Sequence, residues 1–175
     1  MIAKKALGRQ MMAVRSFALN TSHLQAALRD PEHQNWAQFF QGVRAADVAG
    51  SDTQQIASLL KVLTYAGESH EAQEQKELYK AVDEYFRLKF RKLSGRDAFT
   101  ILAPLGEDSN RKLSVLDDKF WVWETLDEAL RPIISEISED EVLQLCRAFA
   151  ANYKGSEDIW DYLMMRVHYH GATVF

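Results

Sequence analysis

Four aromatic residues, Trp36, Tyr79, Trp123 and Trp160, each open a short apolar pattern, at separations of 43, 44 and 37 residues. Between them stand Ser51, Ser94 and Ser138, spaced 43 and 44, each just ahead of an apolar-periodic stretch where a helix N-cap belongs. A period near 44 residues is long enough for one pair of helices and too short to bury its own apolar face. Such units become stable by stacking on neighbours. The expected fold is therefore all-α, a short helical-repeat stack of the α-solenoid kind with three to four antiparallel helix pairs.

Three prolines and eight glycines in 175 residues suit long helices joined by short turns, and 47% hydrophobic residues are enough for a real core. No apolar run approaches the roughly 20 residues of a membrane-spanning helix. The single cysteine, Cys146, excludes an internal disulfide framework and reads as a small buried hydrophobe on a helix face.

Charge is unevenly distributed. Residues 1–29 carry Lys4, Lys5, Arg9, Arg15 and Arg29 with no acid, a net +5, while the remaining 146 residues are net −9. With Ile2, Ala3, Ala6, Leu7, Met11 and Val14 at helical spacing, this start reads as a mitochondrial targeting segment, with Arg15-Ser16-Phe17 as the processing neighbourhood. The rival reading is an amphipathic helix that docks on a partner. A targeting helix that is retained and reused as a docking arm satisfies both. The chain divides into a basic targeting or docking segment (1–21), a helical-repeat domain (22–170) and an apolar tail (171–175).

Within the repeat domain, Ser22-His23-Leu24-Gln25 and Ser51-Asp52-Thr53-Gln54 have the capping-box form, and Ser138-Glu139-Asp140-Glu141 is the strongest such signal. Trp36, Phe39, Phe40 and Val43 form one apolar stripe over a helix expected from His33 to Ala46. A further helix is expected from Glu71 to about Arg91, and the longest loop from Gly106 to Leu116. Asp117-Asp118, Glu139-Asp140-Glu141 and Glu157-Asp158 all fall at helix starts, where negative charge favours the helix dipole, so they read as caps rather than as catalytic carboxylate pairs. The second helices align as Leu78-Tyr79-Lys80-Ala81-Val82, Val122-Trp123-Glu124-Thr125-Leu126 and Ile159-Trp160-Asp161-Tyr162-Leu163.

The run Ile137-Ser138-Glu139-Asp140-Glu141-Val142-Leu143-Gln144-Leu145-Cys146-Arg147-Ala148-Phe149-Ala150, followed by Ser156-Glu157-Asp158-Ile159-Trp160-Asp161-Tyr162-Leu163, resembles one unit of the degenerate repeats of FAST-kinase-like and RAP-domain organellar proteins. Octotricopeptide-type repeats are similar. The resemblance spans roughly residues 33–170 and is carried mainly by this last unit. It implies a mitochondrial or plastid protein, often an RNA-binding one. The chain departs from that pattern in having no counterpart of the RAP domain and in its acidic body, and no family site residue carries over.

No catalytic motif, phosphate-binding glycine loop or metal-ligand spacing is found. His168-Tyr169-His170 pairs two imidazoles without a third ligand nearby in sequence, and His23, His33 and His70 are scattered. No cofactor is expected. For RNA, the best candidates are Arg87, Lys89, Arg91, Lys92 and Arg96, interleaved with Phe86 and Phe90 as stacking aromatics. For protein partners they are Trp121, Trp123 and Phe175, with Lys4, Lys5 and Arg9 of the leader. Trp121 and Trp123 are two residues apart, about 200° around a helix, so only one can face the core. These features favour a non-catalytic accessory subunit that braces a mitochondrial multiprotein assembly. A respiratory-chain complex or ATP synthase is preferred over a ribosome because the body is acidic. The alternative is an organellar RNA-binding or mitoribosome-associated factor.

Overall fold

The computed structural model describes residues 18–67, 73–108, 110–113 and 121–171, the last three without their side chains. Lys4, Lys5 and Arg9 of the leader, Asp117-Asp118, His70 and Phe175 lie outside the described residues. Among those described, every regular element is a helix. The eight α-helices are α1 (Thr21–Arg29), α2 (Trp36–Gln41), α3 (Thr53–Ala66), α4 (Gln73–Lys89), α5 (Gly95–Leu102), α6 (Trp121–Leu130), α7 (Glu139–Asn152) and α8 (Glu157–Gly171).

The caps show why helices start where they do. Ser94 Oγ accepts from Asp97 N at 3.1 Å, opening α5. At α7 the capping box is complete. Ser138 Oγ accepts from Glu141 N, and Ser138 N donates to Glu141 Oε2 at 2.7 Å. The α3 cap is corrected by one residue, to Asp52, which forms its own box with Gln55. Ser51 is used elsewhere, accepting from Leu19 N and donating to Asp47 O. The α1 cap is likewise Asn20 rather than Ser22, with Asn20 Oδ1 accepting from His23 N.

The helix expected over residues 33–46 is also corrected. Its chain is helical only from Trp36 to Gln41, stops at Gly42, and continues as a 3-10 segment over Ala45–Gly50. The apolar stripe survives this break: Phe39 and Phe40 are buried and Trp36 packs edge-on against Phe39. Helix α3 ends at Gly67, whose φ of 64° an L side chain rarely adopts.

Helix α1 packs on α3, α3 on α5, α5 on α7, and α4 on α6, while α5 also contacts α6 and α7 contacts α8. One continuous core results, with Leu59, Leu60, Phe86, Ile101, Leu126, Phe149 and Leu163 fully enclosed. Polar links cross from element to element at one end of α3, α5 and α7. Thr53 donates to Asp97 at 3.0 Å, and Arg96 donates to Glu141 at 2.8 Å. Asp97 and Glu141 are thus both third-position cap residues and the receivers of a bond from the helix two places earlier in the chain, α3 and α5 respectively.

Candidate functional site

The period-two argument about the tryptophans resolves into one inward and one outward ring. Trp123 is only 7% exposed and belongs to the core, which corrects its assignment as a partner anchor. Trp121 is half-buried at the first residue of α6, where its ring rests edge-on against Phe90 with centroids 5.4 Å apart. Two side chains of α4 and α6 lock this corner. Asp83 Oδ1 accepts from Trp121 N at 2.6 Å, and buried Thr125 donates to Phe86 O at 3.1 Å.

Around that corner lies a groove of about 400 Å³, walled by Phe90 after α4, by Trp123, Glu124, Asp127 and Glu128 of α6, and by Ser156 at the start of α8. Its base is a closed polar cluster. The buried carboxylate of Asp127 accepts from Ser156 N at 2.8 Å and from Arg131 Nε at 2.9 Å. Arg131 also donates to Asp158 at 3.0 Å and to Ser156 Oγ at 3.2 Å. The bond from Arg131 to Asp127 is the main reason the guanidinium is held still more firmly protonated than usual. Ser156 Oγ in turn accepts from Ile159 N and so opens α8.

The rim differs from the base. Glu124 is exposed and has no ion-pair or hydrogen-bond partner among the described residues, and Glu128 meets Arg91 only at 3.8 Å. Arg91 itself has a left-handed backbone (φ 59°) and stands with its guanidinium 5.3 Å from the Phe90 ring centroid. The indole N–H of Trp123 is buried and finds no acceptor among the described residues.

The basic cluster expected to meet RNA is distributed along and beyond the end of α4. Arg87 is clamped by Glu84 through two bonds of 2.6 Å, and Arg96 by Glu141. Lys89 lies 5.6 Å from the Tyr85 ring, and Lys92 is exposed. The interleaved aromatics are corrected. Phe86 is completely buried, because α4 needs it for the core, and Phe90 is spent on Trp121. Within the cluster Arg87 and Arg96 are engaged by carboxylates, Lys89, Arg91 and Lys92 meet none closer than 3.8 Å among the described residues, and neither interleaved ring is fully exposed.

Among the described residues no group of three His, Cys, Asp or Glu side chains gathers in a way that could hold a metal ion. His23 stacks on Phe39 at 4.6 Å, and His33 pairs with Asp30 at 2.8 Å, the bond that raises its pKa. Cys146 is half-buried, and burial pushes its thiol up, away from the thiolate. No described helix is long and apolar enough to cross a membrane.

No single stretch of sequence announces the groove, since its walls come from three elements. One signal was present. The register that sets Tyr79 on Trp123 also sets Asp83 on Asp127, two carboxylates that each hold the start of another helix. No protein-family model, no curated protein and no solved structure matches the chain.

Proposed function

We propose that this chain is a non-catalytic helical scaffold, an accessory subunit that holds neighbouring proteins in a mitochondrial multiprotein assembly. The observation that carries this reading is the outward face of α8. Tyr162, Met164 and Met165 are each at least 44% exposed there, while Ile159 and Leu163 on the opposite side are fully buried. Scattered exposed apolar residues need no explanation, but three of them on one side of one helix make a patch of the kind that partners cover. Methionine and tyrosine suit that role, one by its flexibility and one by its amphipathic ring.

The same reading takes α3 with α4, α5 with α6 and α7 with α8 as three units of a short repeat stack. The α3-to-α5, α5-to-α7 and α4-to-α6 packing supports it, as does the recurrence of capped starts at Asp52, Ser94 and Ser138. The basic, acid-free residues 1–29 support import into mitochondria, and the acidic remainder suits basic neighbouring subunits. On that ground an energy-converting membrane complex, respiratory-chain or ATP synthase, is preferred to a ribosome. The resemblance to organellar repeat proteins agrees with the compartment. Their RNA-binding role is disfavoured by the pairing of Arg87 and Arg96 with carboxylates.

The test is native purification of the chain from mitochondria of the source cell, with mass spectrometry of what migrates with it. Stoichiometric co-migration with energy-converting subunits, lost in a folded Met164→Glu/Met165→Glu double variant, is the expected result. Migration as a free monomer overturns the bracing role. Co-migration with ribosomal proteins or RNA overturns the placement.

A further inference from the structure

We infer that the groove between the end of α7 and the turn that closes at Gly106 is a binding site for a single nucleotide, its base stacked on Tyr153 and its phosphate held by Arg147. The site owes nothing to the exposed face of α8, so it goes beyond the scaffold reading and stands without it.

Tyr153 is the residue that the fold does not explain. It follows the last residue of α7 with φ 54° and ψ 42°, the left-handed conformation in which its own N–H and that of Lys154 close the helix on Ala150 O and Phe149 O. Glycine takes such a position without strain, and the chain does use glycine for the next positive φ, at Gly155. A tyrosine there carries a steric cost, and its side chain recovers little of it in packing, since Tyr153 is 84% exposed. The ammonium of Lys112 stands 5.9 Å from the ring centroid.

The ring borders a groove of about 530 Å³, a size that suits a small ligand. Arg147 lines the same groove, and Gly106, Ala150 and Ala151 give it a floor without long side chains. Arg147 is exposed, and among the described residues neither its guanidinium nor the ammonium groups of Lys112 and Lys154 have a carboxylate partner. The carboxylate of the groove itself, Glu107, is taken by Lys61. An exposed ring among unpaired cations, within residues 30–175 whose net charge is −9, favours a ligand that is planar and anionic together. The step from Arg147 to Tyr153 spans roughly 9 Å of helix rise, which two long side chains close onto a nucleoside monophosphate between them.

A bare phosphate leaves the ring unused, and a neutral aromatic compound leaves the cations unused. A nucleotide uses both, because any base can stack on tyrosine and a guanidinium takes a phosphate through paired N–H bonds. One nucleotide is the limit. Neighbouring cations are already engaged, Lys61 by Glu107 and Arg111 by Glu32 and Asp108. A longer strand needs a continuing track of free positive charge.

The test titrates the full chain, with its six tyrosine rings labelled, with adenosine 5′-monophosphate in a proton–carbon correlation spectrum. Tyr153→Phe identifies the Tyr153 signal. The expected result is a saturable upfield movement of that signal, as a stacked base produces. Adenosine should bind roughly tenfold more weakly, because the contribution of phosphate and cation is lost. Arg147→Gln should weaken the monophosphate by a similar factor and leave adenosine unchanged. Tyr153→Asn, which suits the left-handed backbone, should abolish binding of both with a urea midpoint no lower than the parent's.

Equal binding of the monophosphate and adenosine, or no saturable movement of the Tyr153 signal, overturns the site. A lower urea midpoint for Tyr153→Asn gives the ring a structural role and removes the reason to place a ligand on it. An adenylate trinucleotide that gains more than the roughly threefold expected of three equivalent units makes the ligand a strand and overturns the single nucleotide.

Discussion

Replacing Gly106 with alanine tests how closely the turn after α5 packs on α7. Gly106 closes the 3-10 turn Ala103–Gly106, which packs directly on α7. A Cβ there would lie 2.5 Å from Ala148 N, 2.8 Å from Ala148 Cα and 2.9 Å from the Arg147 carbonyl carbon. All three are backbone atoms, so no side-chain rotation makes room. To restore ordinary contact the turn must retreat by nearly an ångström, and a gap of that size forfeits about a quarter to a half of each dispersion well it opens. Leu105, buried beside it, and the bond from Asn152 to Leu105 O bear the loss. Overpacking of this kind costs about 1–3 kcal/mol, which for a chain of this length lowers Tm by roughly 3–10 °C. Without the close approach, the same substitution would stabilise by about 0.4–1 kcal/mol, because alanine restricts the unfolded chain. The two cases differ in sign. Urea unfolding followed by far-ultraviolet circular dichroism should show a lower midpoint with an unchanged slope. A Gly106→Ala chain as stable as the parent would mean that the turn gives way to the added methyl without loss of packing.

Asn152→Ala should destabilise the chain by about 1–3 kcal/mol, read from the urea midpoint, because it strands the buried Leu113 N–H that Asn152 Oδ1 now accepts at 2.7 Å. Glu141 carries a pH dependence. The backbone N–H of Ser138 and then the Arg96 guanidinium hold its carboxyl below the ordinary glutamate range, against the opposing effect of burial. The unfolded chain therefore binds this proton more readily. The contribution is complete above the ordinary carboxylate range and disappears as pH falls through the depressed folded value. Glu141→Gln keeps a capping side chain but removes the charge, so its urea midpoint should fall less than the parent's between pH 7 and about pH 3. An identical fall in both would remove Glu141 from the account.

The cap signals were the most legible part of the sequence, because a hydroxyl or carboxylate three residues before Glu or Gln carries its own local physics. Ser138 stands where that pattern puts it, and Ser94, with Asp97 three residues on, caps where the spacing of 43 and 44 residues puts it. At the start of α3 two overlapping registers satisfied the pattern, and a tertiary demand decided between them. Leu19 N and Asp47 O claim the Ser51 hydroxyl, leaving Asp52 to cap. Helical periodicity likewise established that Trp121 and Trp123 part company, but which ring turns inward depends on α4, through Asp83 holding Trp121 N. Pairing within a helix or between neighbours decided the basic cluster. Glu84 lies three residues before Arg87 and could be read in advance, whereas the partner of Arg96 lies 45 residues away. The groove drew on three elements, and no local pattern could assemble it.

Four residues after each anchor aromatic of the outer row, Tyr79, Trp123 and Trp160, stand Asp83, Asp127 and Met164, each followed by a second residue of like kind, Glu84, Glu128 and Met165. The two aspartates do the same work. Asp83 accepts from Trp121 N of α6 at 2.6 Å, and Asp127 from Ser156 N, at the start of α8, at 2.8 Å. A helix start has unsatisfied N–H groups and a positive dipole end, so a fixed carboxylate is a natural clasp for it. In the proposed stack this clasp joins each outer helix to the next. On α8 the position holds a thioether, which cannot accept such bonds with comparable strength. The outward face of α8 is therefore unsuited to a further helix start and suited to an apolar surface. Met164 and Met165 are 44% and 52% exposed, and covering side chains of this size contributes about 1.5–3 kcal/mol for each one taken fully from exposure to burial. Because both start partly buried, the pair can add roughly 2–3 kcal/mol to association, or one to two orders of magnitude in affinity. A charge change at those two positions should thus release a partner while leaving the clasps at Asp83 and Asp127, and the fold they secure, intact.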